Sequence, residues 1–151
     1  MSRLPESNFW QTIKGALERH LRLIRIENAT HAGTPDVYWR RGQRAGWLEL
    51  KAVRSWPARP ATPLHIRHFT GEQLSWLEAE VRAGGNAHLL LKVAETVLLL
   101  DVVVARELYL RRLTRADLEA RAMVVSNKAF PGEAILGCLF GTVMKNSNVH
   151  R

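Results

Sequence analysis

Two short apolar segments, separated by a hairpin-length gap, constrain the fold of this chain more than any other feature. Val37-Tyr38-Trp39 is an apolar run typical of a strand, and the segment from Trp47 to Ala52 alternates apolar and polar residues like a second one. Arg41-Gly42-Gln43 between them predicts a turn that brings the second strand back beside the first. We therefore expect an antiparallel hairpin at the centre of the fold.

Charged side chains are placed on this hairpin in a pattern that favours one sheet face. Asp36 directly precedes the first strand, and Glu49-Leu50-Lys51 lies within the second. Because successive side chains on a strand point to opposite faces, Glu49 and Lys51 share a face while Leu48 and Leu50 occupy the other. The hairpin would bring Asp36 near the same pair. The alternative is an ordinary acid and base on a solvent-facing strand.

The composition indicates a globular protein with a polyanionic partner. The 151 residues include 22 Lys and Arg against 14 Asp and Glu, a net charge of +8, which favours nucleic acid over an unrelated basic function. The single cysteine, Cys138, excludes an intramolecular disulfide and favours a reducing, cytoplasmic setting. The longest apolar run, Val97 to Ala105, contains Asp101 and is too short to cross a membrane. We expect no membrane partner.

Periodicity and capping signals predict the remaining elements. A helix with Asn8 as its N-cap is expected to end near Arg22, and a capping box from Thr70 to Gln73 opens a second helix. The remaining elements are strands over 23–28, 87–93 and 97–104 and a short helix over 114–121, which opens with a second capping pattern, Thr114 with Asp117. The predicted class is α/β, with helices against one sheet.

A proline-rich segment follows the hairpin and is a candidate DNA-contacting loop. It runs from Val53 to Phe69, contains three prolines that exclude regular helix, and carries Arg54, Arg59 and Arg67. A basic loop of this kind is suited to contacting a phosphate backbone, although a merely solvated loop is the alternative. Two further candidates lie outside the segment, His31 in the loop before the hairpin and Gln73 in the capping box.

The residue types on the hairpin suit phosphodiester hydrolysis. Asp36 and Glu49 can share a hard divalent cation such as Mg²⁺, which prefers oxygen ligands, and the backbone carbonyl of Leu50 can add another. Lys51, on the same face as Glu49, can orient an attacking water and offset charge on the phosphate. This set is consistent with the basic charge of the chain.

The run Gly33-Thr34-Pro35-Asp36 followed by Glu49-Leu50-Lys51 resembles the motif of the PD-(D/E)XK nuclease superfamily, over about the first 100 residues. Within it, the chain is most similar to small phage and archaeal Holliday-junction resolvases and to virus-type replication-repair (VRR-NUC) nucleases. The resemblance implies a restriction-endonuclease-like αβββαβ core with a central mixed sheet. It also implies metal binding by Asp36 and Glu49 and catalysis by Lys51, with Mg²⁺ as cofactor and Mn²⁺ able to substitute. A further acid is expected from Glu18 or Glu27.

These considerations predict a single nuclease domain over 1–151, with a core of about 7–101 and a C-terminal extension of about 102–151. The leading hypothesis is a metal-dependent endonuclease acting on DNA, selective for four-way or other branched junctions. The alternatives are a restriction-type or nicking nuclease and a non-catalytic nucleic-acid-binding protein. Two symmetric cuts in a junction favour a homodimer, for which the apolar segments after Leu100 would supply the interface. Phage members of the family leave a phage origin open.

Overall fold

The computed structural model describes residues 5–27 and 31–140. One mixed sheet with strand order β1-β2-β3-β4-β5-β6 runs through this part of the chain, with helices on both of its faces. The helices are α1 (Pro5–Leu17), α2 (Gly71–Arg82), α3 (Val102–Tyr109), α4 (Arg115–Arg121) and α5 (Gly132–Phe140). The strands are β1 (Arg22–Arg25), β2 (Val37–Arg41), β3 (Arg44–Val53), β4 (Ala87–Val93), β5 (Thr96–Leu100) and β6 (Val124–Ser126).

The first six elements follow one another as α1, β1, β2, β3, α2 and β4, which confirms the predicted αβββαβ core. β1, β2 and β3 form an antiparallel meander, and β3 pairs with β4 in parallel. A parallel pair requires a crossover connection, and this one contains α2. No helix in the described part of the chain is long and apolar enough to cross a bilayer.

Alternating side chains of the central strands form two separate apolar cores. Leu48 and Leu50 of β3 belong to the core beneath α1 and α5, whereas Leu89 and Leu91 of β4 belong to the core beneath α2 and α3. Leu48 and Leu50 therefore occupy the sheet face opposite to Glu49 and Lys51, as the alternation predicts.

The prediction of a strand from Val97 to Val104 is wrong at its end. β5 stops at Leu100, and Asp101 accepts a hydrogen bond from the Val104 backbone N–H at 2.9 Å, which caps α3. The apolar residues 102–104 are compatible with strand or helix, and the aspartate cap favours the helix.

The first helix also differs from its prediction. α1 begins at Pro5 and ends at Leu17, so Asn8 lies inside the helix and does not cap it. Proline is favoured in the first turn of a helix because its missing N–H would have no helical partner there. The capping boxes at Thr70 and Thr114 are confirmed.

Two predictions about surface segments need correction. The proline-rich segment is not wholly on the surface, because Leu64, Ile66 and Phe69 are buried in the core beneath α2 and α3. The apolar residues after Leu100 are largely used within the same chain. Those buried there are Val104, Ala105, Leu108, Leu113, Leu118, Val124, Ile135 and Leu139. Most of these apolar residues are therefore not surplus to the core, although Val103, Tyr109, Leu110 and Met123 remain exposed. The dimer interface stays a prediction, and residues 141–151 of the predicted extension lie outside the described part.

Candidate functional site

The β2–β3 hairpin brings Asp36 beside the middle of β3. Val37 pairs with Leu48 in the antiparallel register, which places Asp36 next to the strand segment that follows Leu48. The backbone N–H of Leu50 donates a hydrogen bond to Asp36 Oδ2 at 2.8 Å. The carboxylate is thus held at the edge of β3 by the strand's own backbone.

Gly33 allows the loop before Asp36 to pack closely against α2. Its φ is +86°, a left-handed conformation that favours glycine. A Cβ atom at this position would lie 2.5 Å from the backbone oxygen of Glu72, in the first turn of α2. The close approach explains why glycine precedes Thr34-Pro35-Asp36.

Glu49 and Lys51 lie on the sheet face covered by α2 and are almost fully buried, with 1% and 3% of their surface exposed. The alternative of an ordinary solvent-facing pair is therefore excluded. Lys51 Nζ lies 3.5 Å from Glu49 Oε1 and donates a hydrogen bond of 2.7 Å to the backbone carbonyl of His68. The ammonium group is held between the strand and the proline-rich segment.

Burial makes the charged form of Glu49 unfavourable. The pKa of its carboxyl is raised from 4.5 to about 9, first by desolvation and then by the nearby Asp36 carboxylate, while Lys51 opposes the rise. Both carboxyl oxygens of Glu49 are buried, and neither accepts a hydrogen bond from the described residues. Buried polar atoms of this kind are rare in proteins and call for an explanation.

Three residues that the sequence interpretation did not assign to the site lie close to it. Arg25, at the end of β1, has a guanidinium nitrogen 4.0 Å from Asp36 Oδ1. Glu6, in the first turn of α1, has Oε1 2.7 Å from Nε2 of His68, the residue whose carbonyl accepts the Lys51 hydrogen bond. No sequence signal indicated Glu6, because the predicted first helix began after Asn8 and the contact with His68 joins residues that are distant in the chain.

The two candidates for the auxiliary acid lie in different places. Glu18 directly follows α1, about 18 Å along the helix axis from Glu6 at its other end. Glu27 is exposed just after β1 and lines a cavity together with Arg25, the residue that approaches Asp36. The geometry therefore favours Glu27 over Glu18.

The predicted DNA-contacting residues are mostly exposed. His31, Arg54, Arg59 and Arg67 are all on the surface. Gln73 is engaged locally, because its side-chain oxygen accepts a hydrogen bond from the Thr70 backbone N–H at 2.9 Å in the capping box of α2. The structure therefore gives Gln73 a capping role.

The donor set at Asp36 and Glu49 fits a hard cation that keeps open coordination positions. Within the described residues, no group of three or more His, Cys, Asp or Glu side chains is arranged to hold a metal ion. Two carboxylates are nevertheless sufficient for Mg²⁺, which usually retains waters and binds substrate phosphates. A cation beside Glu49 would also provide a partner for its buried oxygens.

Comparison with known proteins gives a likeness in fold at low sequence identity. No family model and no curated protein matches the chain. Among solved structures, it is similar to Archaeoglobus fulgidus Hjc, a Holliday junction resolvase from an archaeal hyperthermophile, with 20% identity and a TM-score of 0.47. The match covers 64% of this chain and 77% of that one. A likeness at this level gives no information on activity, which has to be argued from the site.

Proposed function

We propose that the protein is a divalent-metal-dependent endonuclease that hydrolyses phosphodiester bonds in DNA. The observation that carries the proposal is the buried Glu49 carboxyl, whose pKa is raised to about 9 and whose polar neighbours are the Asp36 carboxylate and the Lys51 ammonium, 3.5 Å from Oε1. A protein gains nothing in stability from a buried carboxyl in that condition, and strongly perturbed acids are typical of functional sites.

Asp36 and Glu49 would hold the metal, together with the backbone carbonyl of Leu50. The N–H and C=O of one strand residue point to the same side of the strand. Because the Leu50 N–H donates to Asp36, its carbonyl is directed toward the same edge of β3. When bound, Mg²⁺, or Mn²⁺ in its place, would polarise the phosphate and favour ionisation of a bound water.

Lys51 is the proposed catalytic residue. Of its three N–H groups, one donates to the His68 carbonyl and one faces Glu49, so the third remains for a water or a phosphate oxygen. The ammonium would orient the attacking water and offset negative charge that develops on the phosphate. Arg25, close to Asp36, is placed to balance charge on the other side of the site.

DNA is the proposed substrate because of the charge of the chain. The net charge of +8 and the exposed Arg54, Arg59 and Arg67 of the proline-rich segment suit a phosphate backbone. The more specific proposal is that the substrate is a branched DNA junction and that a homodimer makes two symmetric cuts in it. Both parts rest on the resemblance of the motif. A restriction-type or nicking nuclease would use the same site on a different substrate.

Substitution at the three site residues tests the chemistry. Asp36→Ala, Glu49→Ala and Lys51→Ala should each abolish Mg²⁺-dependent plasmid cleavage while retaining DNA binding, and Glu95→Ala, in an exposed turn, should cut like the parent. A chelator should stop the parent enzyme. If all three site variants cut at the parent rate, the assignment is wrong, and if the parent binds DNA without cutting, the protein is a non-catalytic DNA-binding protein.

The substrate and assembly are tested separately. Cleavage of a labelled four-way junction is compared with that of linear duplex and single strand of the same sequences. Preference for the junction supports a resolvase, and a preferred cutting sequence in linear duplex supports a restriction-type enzyme. Sedimentation showing only monomer at micromolar concentration would contradict the homodimer.

A further inference from the structure

A cavity of about 390 Å³ lies where the end of the proline-rich segment meets the C-terminal end of α3. Its wall contains the exposed side chains of His65 and Arg67 on one side and of Tyr109 and Arg111 on the other. Between the first two, Ile66 is buried and anchors the segment to the core. Because Ile66 lies in the core, the side chains of His65 and Arg67 on either side of it are exposed.

The cavity is basic, and its arginines are not neutralised. Neighbouring arginines have acidic partners, such as Arg106 with Glu78 at 2.9 Å and Arg112 with Glu107 at 3.4 Å. Arg67 and Arg111 make no ion pair with any acid in the described part of the chain.

The histidine of the cavity is affected by these charges. The pKa of His65 is lowered, first by partial desolvation and then by the positive charges of Arg111 and Arg67. Three basic side chains therefore face one concave space, and repulsion among them would fall if an anion lay between them.

The backbone at Arg111 is unfavourable for an arginine. Its φ is +57°, in the left-handed region, and it follows the C-cap of α3 at the position where helices usually carry glycine. Conformations of this kind in residues other than glycine often mark functional positions. Here the conformation aims a charged side chain at the cavity.

An aromatic ring completes the wall. Tyr109 is 40% exposed, and its ring packs edge-on against Phe69 at a centroid distance of 6.0 Å. A half-exposed ring beside two free arginines is a combination found where proteins contact the sugar and bases of a nucleic-acid strand.

We propose that this cavity, formed by His65, Arg67, Tyr109 and Arg111, binds a backbone phosphate of the DNA strand outside the cleavage site. The proposal rests on the proposed nuclease function and names a second point of contact with its substrate. His68, whose carbonyl holds Lys51, follows His65 by three residues, a span of at most about 11 Å along the backbone. The cavity and the cleavage site are therefore near enough for one DNA molecule to contact both.

DNA binding in EDTA tests the cavity without hydrolysis. Anisotropy of a fluorescein-labelled four-way junction and of a linear duplex is measured over a range of salt concentrations. The variants are Arg67→Gln and Arg111→Gly, with Arg112→Gln as matched control, since Arg112 is adjacent and paired with Glu107. Arg111→Gly places glycine in its favoured conformation, so this variant should melt no lower than the parent.

Each cavity variant should bind about tenfold more weakly than the parent on at least one of the two DNAs. The slope of log affinity against log salt should become shallower by about one for each arginine lost. The Arg112→Gln control should stay within about twofold of the parent, as expected for a surface ion pair.

Parent-like affinity and salt slope in both cavity variants would overturn the proposal. Binding of adenosine triphosphate to the parent and to the two cavity variants is measured as well. If the variants lose this binding while their DNA affinity is unchanged, the cavity binds the phosphate of a free nucleotide and the proposal is overturned. A parent protein that binds DNA through the cavity but does not cut it leaves this inference standing and refutes the nuclease. A parent that binds no DNA refutes both.

Discussion

Replacing Glu49 by glutamine should stabilise the metal-free protein, and the gain should grow as the pH rises. The carboxyl is 1% exposed, and its pKa is raised to about 9 chiefly by desolvation. Glutamine has nearly the same shape and no charge. Its amide can accept from Lys51 and donate toward Asp36, so it suits the space that the protonated acid occupies.

The direction of the pH dependence follows from proton binding in the two states. The folded protein retains the Glu49 proton up to about pH 9, whereas the unfolded chain releases it near pH 4.5. Between these values the unfolded state binds fewer protons, so the free energy of unfolding falls as the pH rises.

The size of the effect follows from the span of the shift. Each pKa unit corresponds to about 1.4 kcal/mol, so the raised pKa of Glu49 should lower the free energy of unfolding by less than about 1 kcal/mol at pH 5 and by about 3 kcal/mol at pH 7. The glutamine variant lacks that cost at every pH.

Urea unfolding in EDTA at pH 5, 7 and 9 measures the difference between parent and variant. Glu95→Gln, in the exposed turn between β4 and β5, serves as the control and should track the parent within about 0.5 kcal/mol. Added Mg²⁺ should raise the stability of the parent at pH 7 and leave the glutamine variant nearly unchanged. A stability difference between parent and variant that is constant from pH 5 to pH 9 would refute the reasoning.

Two further predictions concern the surroundings of the site. Gly33→Ala should destabilise the protein by about 2–4 kcal/mol, because the new Cβ would clash with the α2 backbone and the residue has a left-handed conformation. Gly15→Ala, on α1 with open space around it, should stabilise the protein by about 0.5–1 kcal/mol. Urea unfolding measures both changes, and equal effects of the two substitutions would contradict this explanation. His68→Ala keeps the backbone carbonyl that accepts from Lys51 but removes the imidazole that contacts Glu6, so the carbonyl is less firmly positioned and kcat should fall about tenfold with little change in KM. Glu6→Gln keeps a hydrogen-bonding contact with His68 and should stay near the parent. A parent-like kcat for His68→Ala would show that the contact between His68 and Glu6 is not needed to position Lys51.

Most of the αβββαβ core, and the proximity of Asp36, Glu49 and Lys51, could be predicted because they depend on local sequence patterns. Alternation placed Glu49 and Lys51 on one face, and the hairpin gap placed Asp36 beside them. The capping boxes at Thr70 and Thr114 depend on contacts three residues apart and were correct for the same reason.

The errors arose where local sequence permits two answers. Residues 102–104 are as apolar as the strand before them, and only the Asp101 side chain decides that they begin α3. Contacts between distant segments were not predictable either. The approach of Glu6 to His68 depends on how α1 packs beside the proline-rich segment, which no spacing in the sequence reveals.

Burial of Glu49 and Lys51 lowers the stability of the metal-free protein, although the proposed chemistry requires it. The same cover that keeps Glu49 and Lys51 from water, formed by α2 and the proline-rich segment, raises the pKa of the Glu49 carboxyl. The lysine alone does not compensate, since it stands 3.5 Å away and directs its shorter contact to His68. A positive group positioned between Asp36 and Glu49 would satisfy both carboxylates, and under the proposed function a metal ion there would also polarise phosphate oxygens of the substrate. A loss of stability of the metal-free protein at alkaline pH is therefore the expected cost of the proposed hydrolytic site.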